Sequence, residues 1–132
     1  MRISNRLQQC KQQGKKALSF FITAGYPTLD STVPLVLGLA ESGADIVEIG
    51  IPFSDPIADG STIQMSSEQA LRNGITLAKT FIMAKEIRKQ TNIPLVLMGY
   101  ANPIFAFGLQ EFIQTASEYG VDGIIVPDLP LE

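Results

Sequence analysis

The stretch "IVEIGIPFSDPIADGSTIQ" (Ile46–Gln64) begins as a strand and then stops being one. Ile46, Val47, Ile49 and Ile51 are the β-branched residues of a buried strand, yet Glu48 stands among them. An unpaired carboxylate in an apolar setting costs several kcal/mol or takes up a proton. Beyond Ile51 the chain opens into "PFSDPIADG", where two prolines stiffen a loop and Asp59-Gly60 makes a turn before a helix near Thr62. By period-two alternation Glu48 shares a face with Ile46 and Gly50, opposite Val47, Ile49 and Ile51.

The strand is one of four. "ALSFFITAG" (17–25) reads as the first, Asp45–Ile51 as the second, "IPLVLMGY" (93–100) as the third and "DGIIVPDLP" (122–130) as the fourth. Helical periods separate them. Asp30 or Ser31 caps a helix with Val33, Val36, Leu37 and Ala40 on its apolar face, ended by Gly43. Thr62–Arg72 reads as a helix closed by the Asn73-Gly74 turn, and Thr76 caps another running to about Gln90. Leu109–Tyr119 gives one more, ended by Gly120. In front of all this, Arg2–Gln13 is polar with Ile3 and Leu7 four apart, a short helix across one end of a core, stopped by Gly14. Strands rich in Val, Ile and Leu alternating with such helices predict βαβ units in a parallel sheet.

Composition narrows the chemistry. The chain has 132 residues, 45% hydrophobic, with a formal net charge of −3, which places it among globular proteins that bury a core and argues against nucleic acid as a partner. Histidine is absent and Cys10 is the single cysteine, so triads built on histidine, imidazole metal sites and thiolate clusters are excluded. Acid–base work falls to carboxylates. The basic first sixteen residues followed by an apolar run imitate a signal peptide, but that run is short and holds Ser19 and Thr23. The charge-free stretch Ile93–Leu109 is broken by Pro94, Gly99, Asn102 and Pro103 and is too short to span a bilayer. No membrane anchor and a reducing, cytoplasmic setting are the expectation.

An internal similarity sharpens the question about Glu48. "ESGADIVEIGIP" (41–52) aligns with "EYGVDGIIVPDL" (118–129), matching Glu, Gly and Asp at the first, third and fifth places. The eighth place is Glu48 in one copy and Ile125 in the other. A scaffold that accepts isoleucine there does not need the glutamate for packing.

At the carboxyl end of a β/α barrel strand, an inward carboxyl in apolar surroundings is suited to give and take protons. The competing reading is a structural carboxylate tied to backbone donors or a lysine. Asp55 and Asp59 each have a structural reading too, as turn residues before Pro56 and within "ADG". Pooling Glu48, Asp55 and Asp59 as a Mg²⁺ site is a third reading, resting on weakly diagnostic oxygen-ligand spacing.

"VEIGIPFSDPIADGSTIQ", with "FFITAGYP", "GYANPIF" and "GVDGIIVPDLPLE", resembles the tryptophan synthase α-subunit family over essentially the whole chain. That resemblance implies a (β/α)₈ barrel and retro-aldol cleavage of indole-3-glycerol phosphate to indole and glyceraldehyde 3-phosphate. It casts Glu48 as the acid–base group that protonates indole C3 and Asp59 as the group holding the indole N–H. It places Phe21, Ile63, Met98, Tyr100 and Ile125 near the indole pocket. It further implies a β-subunit partner that owns the pyridoxal phosphate, so that this chain needs no cofactor or metal of its own. Contact with that partner would fall on Pro52, Asp55, Asn102 and Pro130.

Two positions depart from the usual pattern: Ser61 stands where the family has proline, and Gly99 where threonine is frequent. Length departs further, because a complete barrel runs to about 250 residues. The expectation is therefore one amino-terminal portion of a barrel, residues 1–132, ending after the fourth strand. Such a half-barrel lacks the phosphate site built by strands seven and eight, binds the substrate weakly and self-associates through its exposed edges. Rival readings are a non-catalytic module that docks on and activates a β subunit, another phosphosugar lyase or isomerase, and a metal-assisted aldolase.

Overall fold

The structure is a computed structural model and describes residues 1–130. Its four strands, β1 (Ser19–Thr23), β2 (Ile46–Gly50), β3 (Leu95–Met98) and β4 (Gly123–Ile125), form one parallel sheet in chain order. The helices are α1 (Arg2–Gln12), α2 (Thr32–Glu41), α3 (Ser61–Arg72), α4 (Leu77–Arg88), α5 (Ala101–Phe107) and α6 (Leu109–Glu118). The α/β alternation expected from the sequence is observed.

One face of the sheet is fully covered and the other only in part, with Thr23 and Val96 buried and Phe21, Glu48 and Gly123 half-buried. Val47 and Ile49 of β2 and Leu95 and Leu97 of β3 are completely buried beneath Val36 of α2, Phe81 and Ile87 of α4 and Phe112 of α6. Phe81 anchors this layer, its ring centroid 5.3 Å from Phe112 and 5.5 Å from Phe107. Aromatic pairs in such tilted geometry add about 0.5–1.5 kcal/mol each beyond the area they bury. The opposite face carries Phe21, Glu48, Val96 and Gly123 side by side in register. The alternation that put Glu48 opposite Val47 and Ile49 therefore holds.

The internal similarity has a structural meaning. Gly43 and Gly120 both end a helix at positive φ, 98° and 78°, where a side chain would be strained. Two residues on, the aspartate of each copy accepts a backbone N–H from the start of the neighbouring strand. Asp45 takes that of Leu18 at 2.7 Å and Asp122 that of Leu95 at 3.0 Å. Both aspartates are also clamped by α1, Arg6 to Asp45 at 2.7 Å and Arg2 to Asp122 at 2.9 Å. Arginines one helical turn apart thus close the amino end of the sheet.

Three details differ from the sequence reading. The buried side of α1 is Ile3, Arg6 and Cys10, with Leu7 exposed, because Asp45 and Gly123 are what the helix rests on. The Cys10 thiol is buried and lies 3.5 Å from Asp45 Oδ1. Ser31 makes no cap to α2 and pairs instead with Thr28 Oγ1 at 2.8 Å, a 3₁₀ turn over Leu29–Ser31 leading into the helix. The whole of α5 was not foreseen. Proline at its third position is tolerated in a first turn, and the orphan N–H of Ala101 donates to Asp128 Oδ1 at 2.9 Å, a partner 27 residues away.

The clamp makes stability depend on acid. The Leu18 N–H holds the Asp45 carboxyl below its ordinary 3.8, burial works against it, and Arg6 lowers it further. With the folded value depressed, Asp45 stabilises the fold fully above the unfolded value and loses that contribution as pH falls through the folded one. Between neutral pH and the acid limb, Asp45→Asn is expected to show a flatter fall in urea midpoint than the parent. An unchanged acid limb would remove Asp45 as a source.

Candidate active site

The carboxyl ends of β1, β2 and β3 meet the loop Pro52–Gly60 and the first turns of α3. Between them lies a crevice bordered by Phe21, Asp59, Ile63, Met98, Tyr100 and Thr23. Four of the five side chains expected around an indole pocket therefore lie together beside Asp59. Ile125 does not border the crevice but is the register partner of Met98 on the outermost strand, 41% exposed. The free space is about 10 Å³, room for one water at most. An indole ring does not fit without movement.

Close approaches shape this space. Phe21 lies so tightly over Gly50 that any Cβ there would strike its ring. At Gly99 an added Cβ would sit 2.8 Å from Ile51 Cδ1, so in this chain Ile51 occupies the room that a threonine would need.

Tyr100 holds the loop. Its hydroxyl accepts the Ala58 N–H at 2.9 Å, and its ring lies 5.4 Å from that of Phe53. Burial pushes the phenol up, the Ala58 N–H pulls against that, and the charge of Asp59 adds to the rise. A neutral hydroxyl thus sits beside the Asp59 carboxylate. Behind it, Thr23 and Ser66 share a hydroxyl hydrogen bond of 2.7 Å, and Ser66 donates to Ile63 O at 2.9 Å. Sequence reasoning missed this pair and the Ala58 amide. Two buried serines in succession on α3, Ser66 and Ser67, are the signal that could have found the first.

Glu48 is half-buried and outside the crevice. It is the inner-face neighbour of Gly50, one place toward the amino end, and its Oε1 accepts the Ser19 hydroxyl at 2.7 Å. Ser19 aligns with Ile46 and Phe21 with Glu48, so the carboxylate leans away from Asp59. No lysine holds it. Among the described residues no three potential ligands gather closely enough for a metal ion, Glu48, Asp55 and Asp59 included.

The positions expected to meet a partner differ in exposure. Pro52 is buried, whereas Asp55, Asn102 and Pro130 are exposed. Asp55 accepts the Ser54 hydroxyl at 2.7 Å, and Ile57 beside it is 83% exposed.

Ser61 opens α3 directly after Gly60, the first helical position, where proline is favoured because its missing N–H has no helical partner. Ser61→Pro is expected to stabilise the chain by about 0.4–1 kcal/mol through the unfolded state. A raised urea midpoint with unchanged slope would show it, and a lowered one would mean that the Ser61 N–H is needed.

A parallel strand-and-helix array with carboxylates and an apolar crevice at the strands' carboxyl ends defines a β/α-barrel enzyme site. The sequence matches the family profile of the tryptophan synthase alpha chain over residues 7–132. It is 51% identical to the tryptophan synthase alpha chain of Flavobacterium psychrophilum over 97% of this chain and 51% of that one. It is 52% identical to that of Geotalea uraniireducens over 99% and 49% respectively. The structure overlays tryptophan synthase subunit alpha of Legionella pneumophila with a TM-score of 0.95 at 46% identity, covering 98% of this chain and 50% of that one. The chain belongs to the tryptophan synthase alpha chain family, a family of lyases. It spans about half the length of the curated relatives it matches, and its sheet is that part of their barrel. Among the described residues no helix is long and apolar enough to cross a membrane.

Proposed function

We propose that this chain is the amino-terminal half of a tryptophan synthase α subunit and carries the acid–base groups for cleaving indole-3-glycerol phosphate. The observation that supports it most is the gathering of Asp59, Phe21, Ile63, Met98 and Tyr100 around one crevice, with Glu48 on the adjoining inner face. Glu48 delivers a proton to indole C3, which creates a cationic indolenine. Asp59 stabilises that charge through the indole N–H. The Glu48 carboxylate left by that donation then accepts the glycerol hydroxyl proton, the aldehyde carbonyl forms as the carbon–carbon bond breaks, and the bonding pair returns to the ring. For this the Glu48 carboxylate leaves Ser19 and turns toward the crevice, and the loop released from Tyr100 makes room for the ring.

In this reading the chain itself uses no cofactor, works in the cytoplasm and passes indole to a pyridoxal-phosphate β subunit. The loop bearing Asp55 and Ile57, with Asn102 and Pro130, forms the contact. A solved tryptophan synthase complex from Pyrococcus furiosus is among the structures the chain resembles. The test is indole release from indole-3-glycerol phosphate by the chain alone and with a β subunit. Release above the uncatalysed rate supports the reading.

One observation favours a second reading, a docking module without its own turnover: the crevice is closed and Glu48 faces away from it. That module would stimulate a β subunit while releasing no indole.

A further inference from the structure

We propose that the cavity beside α1, at the amino end of the sheet, binds a small organic anion: a carboxylate or phosphate carried on a hydroxylated carbon frame. The inference is independent of the proposed reaction, because this cavity lies at the end of the strands opposite the crevice that Asp59 borders.

The cavity has a volume of about 410 Å³, within the range of about 300–1,000 Å³ usual for small-molecule sites. Its walls are α1, the turn from α2 into β2 and the turn from α4 into β3. Both of those strands are paired on each side, so the cavity belongs to the middle of the sheet and takes no wall from β1 or β4.

Helical spacing builds one side of it. Arg2, Asn5, Arg6 and Gln9 recur at the three- and four-residue intervals that put side chains on one stripe of a helix, and all four line the cavity. Packing falls instead to Ile3 and Cys10 on the adjoining face, which meet Gly123 and Asp45. A guanidinium has five N–H donors. Arg2 gives one to Asp122 at 2.9 Å, while Arg6 gives Nε and Nη2 to Asp45 and reaches Gln9 only at 3.5 Å. The two side chains are 41% and 40% exposed, so their remaining N–H groups stay open to a ligand.

The carboxyl ends of helices repel anions, and α2 and α4 both end here. Their carbonyls are already taken, Ala40 O by the Gly43 N–H and both Thr91 O and Ile93 O by Arg88. Arg88 also places a third guanidinium behind Thr91 and Ile93, so that three stand against the two carboxylates of Asp45 and Asp122. Glu41 lines the neighbouring hollow past Ala40 and Thr91 and does not line this one. Among the paired groups one positive charge is left over, in a chain whose net charge is −3.

The rest of the lining suits a hydroxylated frame. Asn92 faces the same space from the α4–β3 turn, and with Asn5 and Gln9 it offers hydroxyl groups both donors and acceptors. Ala44, Ile93 and Pro94 supply apolar surface for the carbon atoms.

The test is calorimetric titration of the chain at low salt with glucose 6-phosphate and with gluconate, against inorganic phosphate and glucose as controls. One-to-one binding of at least one of the two anions is expected, about tenfold or more tighter than either control, and the tighter of the two tells a phosphate head from a carboxylate. Arg2→Ala should weaken it by about 10–100-fold, the loss of a hydrogen bond to a charged group. That variant keeps Asp122 on Arg88 and the Leu95 N–H, and far-UV circular dichroism checks its fold. Asn92→Asp, which touches neither ion pair, should weaken binding about fivefold or more through like charge at contact distance. Should Arg2→Ala unfold, Asn92→Asp decides alone. No saturable binding of either anion, a control that binds equally well, or an affinity unchanged in a folded variant would overturn the inference.

Discussion

Glu48→Gln should lower indole release by about 10²–10⁴-fold, the usual contribution of a positioned general acid or base. Glutamine keeps the shape and the hydrogen bond from Ser19 but has no proton to exchange at neutral pH. In the proposed mechanism the loss should fall on turnover rather than on substrate affinity, because there the carboxyl works on the reacting carbon in the transition state. Ser19→Ala is the informative companion. It removes the hydroxyl that draws the carboxylate away from Asp59, so it should leave turnover intact or raise it. Stimulation of a β subunit that survives in Glu48→Gln would separate docking from chemistry. Release of indole equal to the parent's in Glu48→Gln would remove the glutamate from the mechanism.

The largest expected loss of stability lies at the other end of the sheet. Arg88 donates to Gly120 O, Thr91 O, Ile93 O and Asp122 Oδ2, and the two side chains of the ion pair are 13% and 9% exposed. Burial lowers the guanidinium pKa and Asp122 raises it back. Arg88→Ala would leave the Asp122 carboxylate with the Leu95 N–H and the exposed Arg2 as its remaining partners, together with three carbonyls short of a donor. Breaking a buried pair from one side costs about 3–5 kcal/mol, a large part of the 5–15 kcal/mol typical of a domain. Urea unfolding should show a midpoint shift of that order. Arg88→Ala combined with Asp122→Asn should cost less than the sum of the two single changes, as coupled neighbours do. Additive losses would mean that the arginine acts through the carbonyls alone.

Much of this fold was legible because its signals are local. Strand residues in β-branched runs, a threonine cap at Thr76 whose hydroxyl takes the Lys79 N–H at 3.1 Å and glycines at helix ends all act within a few residues of themselves. What was not legible depends on distant partners. Helix α5 needs Asp128 to cap it, and Cys10 is buried because Asp45, thirty-five residues on, receives it. The candidate site divides in the same way. The resemblance located Asp59 and the apolar side chains that the crevice gathers. The turning of Glu48 toward Ser19 could not be read, since a strand's alternation gives the face of a side chain but not its rotamer.

The sheet's spatial order is also its order of synthesis. Because β1, β2, β3 and β4 stand in chain order, each strand emerging from a ribosome meets an edge that the preceding unit has already built. No strand waits for a later one to be inserted between neighbours. Growth by addition shortens the time that any edge stays bare in a nascent chain, the interval in which parallel sheets are most prone to pair wrongly.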